Sequence, residues 1–114
     1  MHKLLIHMAN QNDLNRVFHA LADPTRRSVL DRLSHGPMPV TALAVPFDMA
    51  LPSFLKHLRV LEDAGLILTR KEGRKRWCAL IPERMEQVAD WTVTSCDLWQ
   101  TRLEHYRQAM DDDA

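Results

Sequence analysis

Apolar residues recur at helical spacing in the first third of the chain. Leu14, Val17 and Leu21 lie three or four residues apart, which predicts one buried face of a first helix. Asp23 suits an N-cap and Pro24 the first position of a second helix. The pattern therefore predicts two consecutive helices separated by a tight junction.

Two further helices are predicted over residues 40–45 and 50–64. The first is short and is ended by a proline. On the second, Phe54, Leu58 and Leu61 stand at i, i+4 and i+7, which places them on one buried stripe. A short helix followed by a longer one is typical of a helix-turn-helix pair.

A β-hairpin is predicted next, with strands over about residues 66–71 and 74–80. Gly73 stands at the turn between them, where a glycine is favoured. The order helix, helix, short helix, helix, hairpin, helix is the winged helix-turn-helix plan. We therefore expect a mainly α fold with a small β-hairpin wing, formed by residues 1–114 as a single domain.

The last predicted helix follows Pro82 and carries more apolar surface than so small a domain can bury. Its apolar stripe comprises Met85, Val88, Thr92, Cys96, Trp99, Leu103, Tyr106 and Met110, and Trp91 and Leu98 widen it. An identical subunit is the simplest cover for such a surface, which predicts a homodimer. The residues expected at the dimer interface are Leu14, Val17 and Phe18 of the first helix and Trp99, Leu103 and Tyr106 of the last.

Composition narrows the class of protein. A chain of 114 residues fits one domain, and residues 1–9 lack the long apolar stretch of a secretory signal. No stretch is long and apolar enough to span a membrane, and two cysteines do not make a secreted disulfide framework. We expect a cytoplasmic protein.

Charge is unevenly distributed although the formal net charge is zero. Among the charged residues, basic ones outnumber acidic ones by seven to three in residues 53–76, whereas acidic ones outnumber basic ones by eight to three from Pro82 onward. The basic residues of the central segment are Lys56, Arg59, Arg70, Lys71, Arg74, Lys75 and Arg76. One face of the protein can therefore attract phosphates, and double-stranded DNA is the expected partner.

Three sequence blocks resemble the ArsR/SmtB family of bacterial repressors. They read FHALADPTRR at residues 18–27, LRVLEDAGL at 58–66 and EGR at 72–74. The resemblance implies a winged helix-turn-helix dimer formed by the first and last helices. It also implies a repressor that an effector displaces from its operator.

The second helix of the helix-turn-helix pair is expected in the major groove of DNA. With the Phe54 stripe inward, Ser53 and Lys56 point outward and His57 and Arg59 lie on the flanks. Ser53, Lys56 and His57 are expected to reach bases or phosphates, and Arg59 a phosphate.

Leu51 and Leu55 stand where the resemblance places polar base-contacting residues. Two interpretations remain open for them: contact with thymine methyl groups, or a thicker core.

In the wing, Arg74, Lys75 and Arg76 are expected along the DNA backbone or in the minor groove.

Metal sensing is not expected. Related proteins bind metals through a Cys-x-Cys pair in the short helix or through Asp and His residues of the last helix. Residues 40–45 contain no such ligand, Trp99 replaces a histidine, and Gln108 is a poor partner for His105. We therefore expect no metal and no cofactor. Three other inputs remain open: an unidentified small molecule, a thiol modification, or control of the protein's own abundance.

The sequence gives less support to other classes of function. The sequence has no phosphate-binding loop, nucleophile elbow or zincin motif, so an enzyme is not expected. One alternative is a winged-helix protein-interaction module. Another is a thiol- or metal-responsive repressor that uses Cys78 and Cys96.

Overall fold

The computed structural model describes residues 11–113, so the prediction made for residues 1–9 lies outside the described part. The elements are α1 (Gln11–Leu21), α2 (Pro24–Leu33), β1 (Met38–Pro39), α3 (Val40–Ala44), α4 (Leu51–Asp63), β2 (Ile67–Glu72), β3 (Lys75–Leu80) and α5 (Pro82–Asp113). This is the winged helix-turn-helix order, and the four helix starts and the hairpin predicted between residues 23 and 82 are confirmed to within about a residue.

The junction between α1 and α2 is fixed by a side-chain cap. Asp23 has extended backbone angles, and its Oδ2 accepts a hydrogen bond from the Arg26 backbone N–H at 3.0 Å. This hydrogen bond lowers the pKa of Asp23 below its usual value, because it stabilises the carboxylate. Pro24 occupies the first helical turn, where its missing N–H has no cost.

The sheet has three antiparallel strands in the order β1-β3-β2. Strand β1 was not predicted, because two residues are too short for an alternating pattern; Met38 pairs with Cys78 and Pro39 with Trp77. Between β2 and β3 the turn is two residues long, and Gly73 has a φ of 62°, which favours glycine. The hairpin is called the wing below.

The core of the protomer lies between α1 to α4 and the inner face of the sheet. Its largest buried side chains are Phe54, Leu43, Leu61, Leu66, Ile67, Val17, Val29 and Cys78. Leu14 and Val17 are both buried within the protomer, so their prediction as dimer-interface residues was wrong. The stripe that they form faces their own core rather than a partner.

Helix α5 packs on α1 only near its start. Arg84 Nη1 lies 2.7 Å from Asp13 Oδ2, and the Trp91 ring meets Phe18 edge-on with centroids 5.4 Å apart. None of the residues of α5 is buried. At 1.5 Å per residue its 32 residues extend about 48 Å, and the described chain measures 70 × 32 × 23 Å. Much of the apolar side of α5 is therefore open to solvent.

Among residues 11–113, no helix combines the length and apolar character needed to cross a membrane.

Candidate nucleic-acid interface

Helices α3 and α4 form the helix-turn-helix pair, and the core holds α4 firmly. Phe54, Leu58 and Leu61 are buried, as the sequence pattern predicted. The Phe47 ring from the preceding loop packs on Phe54 with centroids 5.3 Å apart. Arg32 of α2 donates a hydrogen bond to a carbonyl of α3 at 3.4 Å. The opposite side of α4 is consequently fixed in orientation and faces solvent.

The first two turns of α4 expose a mixed polar and apolar surface. Ser53, Lys56 and Arg59 are exposed, and Leu51 and Leu55 retain 49% and 42% of their accessible area. The two leucines are thus not part of the core, which removes one of the two interpretations left open by the sequence. Nothing in the sequence alone distinguished them, because their position on the helix is intermediate between the buried and exposed sides.

The start of α4 also carries positive electrostatic character. Its N-cap is Ala50, which makes no side-chain hydrogen bond to the helix. Backbone N–H groups of the first turn therefore lack a side-chain acceptor, and the helix dipole is positive at this end. The carboxylates of α4, Glu62 and Asp63, lie in its last turn. Both carboxylates therefore lie far from the start of α4, although Glu62 also lines the groove between α4 and the wing.

His57 is placed differently from the prediction. Its Nδ1 lies 3.1 Å from Arg26 Nη1 and 3.7 Å from Asp23 Oδ2, and its side chain is only 24% exposed. The ring thus turns toward the start of α2, which the sequence did not predict, and a contact between His57 and DNA stays a prediction. Arg26 also donates to the carbonyls of His19 and Ala20, so it is a structural residue.

The tip of the wing presents free cations. Arg74 lies in the turn and Lys75 begins β3, and both are exposed. Within residues 11–113, neither side chain has an ion-pair or hydrogen-bond partner. Both side chains are therefore accessible to a ligand, and their contact with phosphates stays a prediction.

Arg76 points back toward α4 instead of toward the tip. Its Nη2 donates to Thr69 Oγ1 at 3.1 Å, and Thr69 Oγ1 donates to Glu62 Oε2 at 2.7 Å. Arg76 and Arg59 line one groove of about 350 Å³ between α4 and the wing. The wing and α4 are therefore the two walls of one groove. We call the exposed polar residues of these two elements the basic surface: Ser53, Lys56, Arg59, Arg74, Lys75 and Arg76.

Comparison with known proteins agrees with this geometry. Residues 21–70 match a family of helix-turn-helix domains. The chain is 34% identical to the HTH-type transcriptional regulator Rv2034 of Mycobacterium tuberculosis, over 91% of this chain and 94% of the relative. It is 33% identical to the transcriptional repressor SdpR of Bacillus subtilis, over 70% of this chain and 89% of the relative.

Solved structures lead to the same family. The crystal structure of an ArsR family transcriptional regulator is 54% identical, with a TM-score of 0.75 over 79% of this chain and 93% of that one. This chain belongs to the ArsR family of transcriptional regulators. A homodimeric winged helix-turn-helix DNA-binding domain from Mycobacterium bovis, described as a possible ArsR-family regulator, is 28% identical with a TM-score of 0.63, over 80% of this chain and 86% of that one.

The cysteines of this ArsR-family chain lie in different environments. Cys78 is fully buried in β3, whereas Cys96 is exposed on α5, and both are free. Burial, and secondarily the Glu62 carboxylate, raises the pKa of the Cys78 thiol to about 11. Such a thiol stays protonated at neutral pH and is a poor nucleophile.

The described part of this ArsR-family chain contains no cluster of three or more His, Cys, Asp or Glu side chains that could hold a metal ion. Helix α3 consists of Val40, Thr41, Ala42, Leu43 and Ala44. None of these side chains is a thiolate, imidazole or carboxylate, the donors that transition metals use in proteins.

Proposed function

We propose that this transcriptional regulator is a homodimeric repressor that binds a two-fold symmetric DNA operator. Each protomer places α4, the recognition helix, in the major groove and the wing tip along the adjacent backbone. The observation that carries this proposal is the basic surface. In the described part of the chain, residues 11–113, Lys56 and Arg59 of α4 and Arg74 and Lys75 of the wing are exposed without an ion-pair partner, and the start of α4 has no side-chain cap. The residues proposed to touch DNA are Leu51, Ser53, Leu55, Lys56, Arg59, Arg74 and Lys75, with Arg76 beside them.

The proposed dimer forms through α1 and α5. Trp99 keeps 74% of its accessible area in the protomer, and Leu103 and Tyr106 are also exposed on the same helix. Arg102 joins them around a shallow apolar depression. Phe18 of α1 is partly exposed beside Trp91 and extends this surface toward α1. The similar domain from Mycobacterium bovis is a homodimer, which supports a dimer for this chain.

In this proposal residues 1–114 act as one DNA-binding unit in the cytoplasm, by occupying DNA and not by catalysis. The relatives named above are regulators and not enzymes, which supports that choice. In this proposal the input that releases the DNA is not a metal ion. The composition of α3 and the replacement of metal ligands at Trp99 and Gln108 support this assignment.

The full-length protein, used to select binding sites from a random duplex library, tests the proposal. We expect the recovered duplexes to contain an inverted repeat whose half-sites lie about one helical turn apart. In footprinting, Arg74→Ala should weaken protection of every recovered site to a similar extent, because the wing contacts the backbone. Ser53→Ala should instead change which sites are recovered. Recovery of no shared sequence, or of single unpaired half-sites, would contradict the proposed dimeric operator.

A further inference from the structure

Two leucines occupy the DNA-facing end of the recognition helix. Leu51 and Leu55 are one helical turn apart, so their side chains lie on the same flank with Cβ atoms about 5–6 Å apart. Both are about half exposed, and Leu55 lines the groove between α4 and the wing. In the part of the chain that the structure describes, no apolar side chain buries the exposed parts of these two leucines.

The surroundings of this pair indicate the kind of surface that covers it. Lys56 and Arg59 follow it on α4, and Arg76 of the wing lies across the groove. The Glu62 carboxylate also lines this groove, where it accepts a hydrogen bond from Thr69, so cations outnumber anions around the pair. An apolar centre with cations around it matches the major groove, whose walls are phosphates and whose floor carries methyl groups only at thymine C5. An apolar protein partner would gain nothing from the exposed cations Lys56 and Arg59 beside the leucines.

We propose that Leu51 and Leu55 read thymine C5-methyl groups in each operator half-site, an inference that rests on the proposed DNA-binding function. The spacing of the two side chains corresponds to one or two base steps, because successive bases on one strand are about 3.4 Å apart. Each half-site should therefore contain two thymines within two base steps of each other. Apolar contact, and not a hydrogen bond, distinguishes these positions from the other bases.

Replacement of thymine by deoxyuridine tests this directly, since uracil lacks only the methyl group and keeps the hydrogen-bonding edge. The probe is a duplex recovered by the library selection, with deoxyuridine placed at one thymine of each half-site at a time. Burial of one methyl group changes affinity about four-fold, so symmetric replacement in both half-sites should weaken binding about 15-fold. Thymines outside the leucine contacts should show no change.

The variants Leu51→Ala and Leu55→Ala, each measured on both duplexes, complete a double-mutant cycle between one leucine and one thymine methyl group. Each should bind the thymine and deoxyuridine duplexes equally at the position that its leucine contacts, while the wild type discriminates. Leu68→Ala is the matched control, because Leu68 is a leucine of similar exposure, 44%, on the outer face of the wing sheet. It should discriminate as the wild type does. Circular dichroism checks that all three variants keep the helical fold.

The possible outcomes distinguish a failure of methyl recognition from a failure of the proposed DNA-binding function. Equal affinity of the wild type for thymine and deoxyuridine at every position, with salt-sensitive binding retained, would overturn methyl recognition and leave the operator function intact. Discrimination that persists in both leucine variants would overturn it too. Leucine variants that bind DNA as the wild type does would point to an apolar protein partner. A wild type that binds no duplex in a salt-sensitive way would overturn the DNA-binding function itself.

Discussion

The guanidinium Nη1 of Arg26 lies 3.1 Å from Nδ1 of His57, and this contact joins the start of α2 to the middle of the recognition helix. The same guanidinium donates to the carbonyl oxygens of Ala20 at 2.8 Å and His19 at 3.1 Å, near the end of α1. Asp23 Oδ2 lies 3.7 Å from His57. One cation therefore connects three helices, behind the side of α4 that we propose faces DNA.

Replacement of Arg26 by alanine should destabilise the fold by about 1–3 kcal/mol, because the carbonyls of α1 and the His57 ring lose a charged donor. Arg27→Ala is the control, since exposed Arg27 makes a single bond to the Leu21 carbonyl at 2.7 Å. Its cost should stay below about 1 kcal/mol. Urea unfolding measures both, and equal losses would show that the Arg26 contacts contribute no special stability.

The sequence predicted the element order well because local signals mark the boundaries. Asp23 and Pro24 determine one helix start, and Gly65, with a φ of 76°, ends α4. Such signals act within a few residues and need no knowledge of the tertiary fold. The recognition helix and the wing were identified for this reason.

Contacts between distant segments were less predictable. A helical wheel placed His57 on a flank of α4 but could not show that Arg26, 31 residues earlier, would meet it there. Leu14 and Val17 form an apolar stripe, which faces either a partner or the protomer's own core. Only the packing of α1 on the rest of the chain decides between these possibilities.

The dimer interface can be tested at Trp99. Trp99→Asp should bury an unpaired charge in the proposed dimer interface and convert the dimer to a monomer. Val93→Asp is the matched control, because Val93 is 60% exposed and lies off the apolar stripe of α5. It should remain dimeric. Light scattering at micromolar concentration measures both masses, and a monomeric wild type would contradict the assembly.

Thiol reactivity should separate the two cysteines. Iodoacetamide should modify exposed Cys96 in the native protein, while Cys78 should react only after unfolding, because it is buried and protonated. Mass spectrometry of the wild type and of Cys96→Ser measures this. Comparable native rates at the two positions would revive a thiol switch that uses both residues.

The raised pKa of Cys78 also predicts a pH dependence of stability. Between about pH 9 and the folded-state pKa of about 11, the unfolded chain releases the thiol proton while the folded chain keeps it. The free energy of unfolding should therefore fall as pH rises through this range, by on the order of 2 kcal/mol. Cys78→Ala removes this contribution. An identical alkaline pH profile for the variant and the wild type would contradict the assignment.

Metal addition should leave DNA binding unchanged. Zinc, copper, nickel, cadmium and arsenite, each titrated into the complex of protein and selected duplex, should neither release the DNA nor bind at one ion per protomer. The reason is that α3 has no donor side chain, and that Trp99 and Gln108 replace two of the ligands expected on the last helix. Within residues 11–113 no three His, Cys, Asp or Glu side chains form a group that could hold a metal ion. One tightly bound ion per subunit that releases DNA would contradict the proposed non-metal input.

The salt dependence of DNA affinity tests the central claim most directly. With three or four phosphates contacted per protomer, the slope of log K against log salt should be about −5 to −7. Arg74→Ala should reduce its magnitude by about 2, since one contact is lost from each protomer. Leu68→Ala, on the outer face of the wing sheet, should leave it unchanged. A slope near zero for the wild-type protein would contradict the account of the basic surface as a DNA-binding surface.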